Sequence, residues 1–203
     1  MTQLIGIIAG ILPLVAAYVY IQSILKGVTR PERGAMVIWA ITSTISFAAY
    51  WASGAQESIW FAFGDFLVGI VMLFLAIKYG YGWSLRRHIP AFIAVLVGLG
   101  LWAITNHPFL ALLCSIGVDA IGSVLVAVKA YEAPETEHLG SWLTYLGAAL
   151  LAVLVVGDWN LQLLSYPLYA VISTLAIVLA VLLGRKHGHR RRNLEKKLEE
   201  RIP

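Results

Sequence analysis

Seven stretches of this chain run for roughly twenty residues with almost no charge, the length at which an α-helix crosses the hydrocarbon core of a bilayer. They cover residues 3–25, 35–53, 58–77, 88–105, 108–128, 139–156 and 161–183. Short connections and a polar tail make up the rest of the 203 residues, which leaves no room for a soluble domain. Soluble domains carry about 25% charged residues, whereas here 13% are charged and 60% are hydrophobic. The first stretch is long enough to span and lacks a basic n-region, and no A-x-A-like site follows it. It therefore reads as a span and not as a cleaved signal peptide. Cys114 is the only cysteine, so neither an intramolecular disulfide nor a cysteine metal cluster is expected.

The basic residues orient the spans, because Lys and Arg accumulate in cytoplasmic loops. Lys26, Arg30 and Arg33 follow the first span; Lys78, Arg86 and Arg87 follow the third; Lys129 follows the fifth; eight more lie after the seventh. All fifteen thus fall on one face. The expected topology has the N-terminus outside and the C-terminus cytoplasmic, in the inner membrane of a bacterium. Trp39, Trp83 and Trp142 fall near the cytoplasmic boundary, and Trp51, Trp60, Trp102 and Trp159 near the outer one, as interfacial anchors do.

One fragment occurs twice. "KGVTRPERGAMVIW" (26–39) and "KAYEAPETEHLGSW" (129–142) both fit K-x4-P-E-x6-W, at an offset of 103 residues. The first copy joins spans one and two, and the second joins spans five and six. In each, a Lys at a helix end is expected to snorkel to the interface, a Pro stops the helix, and a Trp opens the next span. Matched register over fourteen positions points to duplication. Spans one to three then correspond to five to seven, and the odd fourth span restores their orientation, giving parallel repeats. The expected divisions are 1–80, a first three-helix repeat; 81–106, a linker containing the fourth helix; 107–183, a second repeat; and 184–203, a basic cytoplasmic tail.

This arrangement resembles the SWEET/PQ-loop (MtN3-like) transporters over about residues 3–183. The family's Pro-Gln dipeptide would lie near the ends of the first and fifth spans. Ile21-Gln22, followed by Lys26, and Val124-Leu125, followed by Lys129, stand there instead. The resemblance is to a divergent member, and it implies an all-α integral membrane fold of seven transmembrane helices in a 3+1+3 arrangement of triple-helix bundles.

Ionisable groups inside a span are expensive and face a cavity or a partner. Two acids qualify. Asp119 lies near the middle of the fifth span, roughly 18 Å from its outer end, and Asp65 lies about 10 Å into the third, in the outer half, at 1.5 Å per residue. Each is a candidate for binding substrate or a proton; a neutral acid bonded to a neighbouring helix is the alternative. Around Asp119, Gly117, Ala120, Gly122 and Ser123 are small, which suits close packing or solute space. Thr42 and Ser46, with Ser53, form one polar stripe, and Tyr166, Tyr169 and Ser173 form another at i, i+3, i+7. Either stripe lines a path or joins helices. Pro13 and Pro167 are hinge candidates.

Other chemistries are poorly served. Residues 161–183 hold no lysine for a retinal Schiff base. His88, His107, His138, His187 and His189 are scattered over loops, span ends and tail, so no metal site is expected. An aspartate dyad sharing a proton would need the G-x-G-D of intramembrane aspartyl proteases, where this chain has "AFGD". The tail "GRKHGHRRRNLEKKLEERIP" reads as a solvated segment with a short helix carrying Leu194 and Leu198, lying near anionic lipid headgroups.

The leading expectation is a transporter for a small polar solute, by alternating access between two three-helix bundles and with a proton as candidate co-substrate. It is not expected to be an enzyme. The alternatives are a non-transporting seven-helix receptor or scaffold protein of the same fold, and an intramembrane aspartyl hydrolase. Expected partners are the bilayer, the solute and, compatibly, further copies of the chain; no cofactor or nucleic acid is expected.

Overall fold

A computed structural model describes residues 2–80 and 107–199, together with isolated positions 89, 93, 96, 97, 100 and 104, and describes side chains as far as Gly188. The expected fourth span, 88–105, falls outside the described residues apart from those six positions. So do Trp83, Arg86, Arg87, His88, Trp102 and the side chains of the tail from His189 onward.

Six α-helices carry the described chain: α1 (Thr2–Leu25), α2 (Arg33–Ala52), α3 (Ile59–Tyr79), α4 (Pro108–Glu132), α5 (Leu139–Leu154) and α6 (Leu161–Glu199). A short 3-10 turn, Pro134–Thr136, precedes α5, and there is no strand among the described residues. Five of the helices are long and apolar enough to cross a membrane. The exception is α5, at 16 residues, or about 24 Å at 1.5 Å per residue. The expected bounds are met within a few residues except at α6. There the helix does not stop at residue 183 but continues through the tail to Glu199, because nothing from Gly184 onward breaks it.

Local chemistry sets the helix ends. α1 closes on Gly27, whose φ of 74° favours a residue without Cβ. The Gly27 N–H reaches Ile24 O at 2.9 Å and the Val28 N–H reaches Ser23 O at 3.1 Å. Glu32 caps α2 by accepting from Ala35 N at 2.5 Å, and Pro108 opens α4 at a position where its missing N–H costs nothing. The duplicated loops differ here. Glu135, the counterpart of Glu32, is exposed in the 3-10 turn, and the side chain that caps α5 is His138, through Ser141 N at 3.1 Å.

α3 packs between α1 and α2, and α6 packs between α4 and α5. The two trios meet where α1 lies on α5 and α2 lies on α4, with lesser contacts of α2 with α6 and of α3 with α5. Exchanging α1, α2 and α3 for α4, α5 and α6 leaves this set of neighbours unchanged. The helix starts are spaced to match: Thr2 to Pro108, Arg33 to Leu139 and Ile59 to Leu161 are 106, 106 and 102 residues apart.

Within the first trio the fit is backbone against backbone. A Cβ on Gly6 would stand 2.5 Å from Glu57 O, and one on Gly10 would stand 2.6 Å from Trp60 O. Small residues spaced four apart allow this approach. The outward faces are apolar: Ile11 and Tyr18 of α1, Phe74 and Ile77 of α3, Val124 of α4 and Ile172 of α6 are all exposed. So much apolar surface suits hydrocarbon and not water. The described Lys and Arg residues gather at one end of the bundle, here called the basic end, where α1, α3 and α4 finish and α2 and α5 begin.

Candidate functional site

Each helix presents one polar or small-residue stripe inward. Trp39, Ser43 and Ser46 recur on α2 at i, i+4, i+7, and Ile116, Asp119 and Ser123 on α4 at i, i+3, i+7. The stripes enclose a cavity of about 120 Å³ to which all six helices contribute. Asp65 and Asp119 both line it.

The two carboxyls are held alike. Asp65, on α3, accepts from the Tyr145 hydroxyl of α5 at 2.6 Å and, through its other oxygen, from the Tyr166 hydroxyl of α6 at 2.6 Å. Asp119, on α4, accepts from Thr42 of α2 at 2.6 Å and from the Tyr169 hydroxyl of α6 at 2.6 Å. Because Tyr169 spends its proton on Asp119, Ser123 at 3.1 Å must donate to the Tyr169 oxygen. Ser46 and Ser115 join α2 to α4 at 2.7 Å. No hydrogen bond joins the two carboxyls among the described residues.

At the basic end, the rings of Trp39 and Trp142 meet edge to face with centroids 6.1 Å apart, and Tyr20 meets Trp142 at 5.9 Å. Met36 and Met72 pack with them. Outside this layer Glu137 is buried. It accepts from Tyr20 at 3.1 Å, from the Trp142 indole at 2.9 Å and from Lys129 at 2.7 Å. The Lys129–Glu137 side chains are only 10% and 1% exposed, and Lys129 also bonds Arg30 O in the loop between α1 and α2. At the opposite end, Tyr50, Phe61, Leu112 and Val156 form a close-packed layer. There Tyr50 donates to Leu163 O at 2.8 Å and Gln162 donates to Ser53 O at 3.3 Å.

Of the residues singled out from sequence, Asp65, Asp119, Ser46, Ser123, Tyr166, Tyr169, Ser173 and Pro13 line the cavity. Thr42 stands just behind the wall, fully buried, with its hydroxyl on Asp119. Pro167 is buried elsewhere in α6, and the helices run unbroken through both prolines. Gly122 makes room for the Trp39 indole, whereas nothing lies within 4 Å of a Cβ on Gly117.

Two sequence expectations are corrected. Trp39 and Trp142 are cavity walls that face each other and not interfacial anchors, because they fall on the inward stripes of α2 and α5. Lys129 does not snorkel; a buried carboxylate eight residues on, in the loop beyond the helix, captures it. Whether Asp65 shares a cavity with Asp119 was open in the sequence; the structure puts both on one lining.

Tyr145, Tyr20 and Glu137 were missed. Tyr145 had a signal, since it follows Thr42 by the same 103 residues as Trp142 follows Trp39. Both members of that pair donate to an aspartate. Glu137 had none: an acid beside a helix start in a loop looks solvated. Compared with known proteins, the chain matches no family model, no curated protein and no solved structure.

Proposed function

We propose that this is an integral membrane transporter that moves a small polar solute by alternating access between two three-helix bundles, α1–α3 and α4–α6. One observation carries the reading: each carboxyl in the shared cavity is bonded across the line where the bundles meet. Asp65 of the first reaches Tyr145 and Tyr166 of the second, and Asp119 of the second reaches Thr42 of the first. A solute that takes over some of these bonds changes how strongly the halves hold together, which is the differential interaction that a conformational shift requires.

The two ends carry separate closures. Parting the basic end breaks Tyr20–Glu137 and Lys129–Arg30, whereas parting the other breaks Tyr50–Leu163 and Gln162–Ser53. Neither set reaches the opposite end, so one can yield while the other holds. The exchange symmetry of helix neighbours and the offset of 103 support parallel repeats. α3 finishes at the basic end and α4 starts at the other, which supports a further span between them and seven in all. The gathered Lys and Arg support an outside N-terminus and a cytoplasmic basic end. On this reading the chain is a divergent relative of the SWEET/PQ-loop transporters. A hydrolase would need its carboxyls to share a proton, and hydroxyls from four different residues occupy the carboxyl oxygens here.

A single cysteine tests this. With Cys114→Ala, Ser173→Cys places a thiol on the cavity wall. Loosening the basic end by Glu137→Gln should raise its labelling by an impermeant maleimide from that side and lower it from the other. Tyr50→Phe should do the reverse. Labelling that rises on one side without falling on the other would sink alternating access in favour of a fixed pocket.

A further inference from the structure

The cavity carries two carboxyl groups and no positive charge: Lys, Arg and His are missing from its described lining. The buried lysine nearest to it in chain position, Lys129, is committed to Glu137 and to Arg30 O beyond the aromatic layer. All four carboxyl oxygens accept a hydroxyl at 2.6 Å, within the 2.5–2.7 Å of charge-assisted O–H···O⁻ bonds. Four carboxyl oxygens thus meet four hydroxyl donors, one each. Acidic groups at membrane depth require compensation, and here protein hydroxyls supply dipoles but no charge.

The rest of the wall says what kind of cation would fit. Between the carboxyls and the basic end stand Trp39, Trp142 and Tyr20, with Met36, Met72 and Val68 among the neighbouring side chains. An alkali ion gains little from such a surface. An ammonium gains from aromatic rings, and any carbon attached to it gains from the methionines and Val68.

Resting on the transport-site reading above, we infer that the solute is a small organic cation. Its ammonium group lies by Asp65 and Asp119, and its apolar body lies toward the Trp39–Trp142 wall. The carboxyls set the sign of charge, and the ring layer sets the preference for a carbon-bearing cation over a hydrated ion.

The test uses the full chain in lipid nanodiscs, at constant ionic strength, with methylamine, ethanolamine and choline as probes. Sodium chloride and 3,3-dimethyl-1-butanol, the uncharged shape of choline, are the controls. Calorimetric titration should show at least one ammonium binding at least tenfold more tightly than the neutral alcohol. Asp65→Asn or Asp119→Asn should cost that probe tenfold or more. Trp142→Leu should cost about fivefold, and Trp142→Phe, which keeps a ring, should cost less. Should the aspartate variants misfold, ammonium-specific thermal protection of wild type and Trp142→Phe, absent in Trp142→Leu, carries the same test.

Equal binding of the alcohol overturns the inference in favour of a neutral solute. Protection by sodium alone overturns it in favour of an inorganic ion. Failure of every ammonium to bind overturns it as well. In each of these cases reciprocal labelling at Ser173→Cys leaves the transport reading standing, and loss of reciprocity removes both.

Discussion

Pro167 has no N–H to give to Leu163 O one turn back, and an unpaired carbonyl inside a bilayer costs several kcal/mol. The Tyr50 hydroxyl fills the gap from α2 at 2.8 Å, and Ser58 then donates to Tyr50 at 2.8 Å. A helix defect in one bundle thereby becomes a hydrogen bond to the other. Tyr50→Phe should destabilise the protein by about 1–3 kcal/mol, the cost of leaving a buried group unsatisfied. In a Pro167→Ala background the restored N–H can pair with Leu163 O, so the same change should cost at least about 1 kcal/mol less. Thermal unfolding of the four proteins in detergent measures this coupling. Strictly additive losses would mean that the hydroxyl serves Ser58 alone. Glu137 has a comparable place at the basic end, where one carboxylate takes donors from α1, α4 and α5.

Between elements, the contrast is between glycines that are touched and glycines that are not. A Cβ on Gly64 of α3 would run into Gly10 O of α1, whereas one on Gly147 of α5 meets nothing within 4 Å. Gly64→Ala should therefore part α1 from α3 and cost about 1–3 kcal/mol, as overpacking does. Gly147→Ala should be neutral or stabilising by up to about 1 kcal/mol, since alanine loses less backbone freedom in a helix. Unfolding midpoints of the two variants give the answer, and equal effects would show that the α1–α3 seam is not set by contact at Gly64. The line between the trios is packed as extensively, but it also carries the hydroxyl bridges to Asp65 and Asp119. Backbone contact fixes a distance, whereas hydroxyl bridges can break and re-form.

For the whole molecule, orientation and closure are separable questions. Gln56 and Asp158 are exposed at one end, and Lys26 and Glu135 at the other. In right-side-out vesicles of the Cys114→Ala protein, cysteines at the first two positions should react with an impermeant maleimide, and cysteines at the last two should not. The reverse pattern would invert the topology without touching the cavity. Mixed labelling within one end would instead contradict the shared end itself.

Much of this was legible along the chain, and the reasons are local. Helix positions follow from runs of apolar residues, because hydrocarbon forces each backbone to satisfy itself within its own segment. Asp65, Asp119, Tyr166 and Tyr169 stood out because polar groups in such runs need partners. The stripe on α6 predicted a common face, and the structure places it on the cavity. What the sequence determined alone was thus the positions of the six described helices, the end at which the described basic residues lie, and the candidates for chemistry. Which partners those candidates take was decided only by tertiary structure. Tyr20 reaches Glu137 across 117 residues, and Asp65 is held by Tyr145 and Tyr166 from two helices of the other trio. The rule that places tryptophan at a membrane boundary assigns the same depth to a lipid-facing anchor and to Trp39. Helix rotation distinguishes them, and that rotation is set by packing against neighbours that lie far away in sequence.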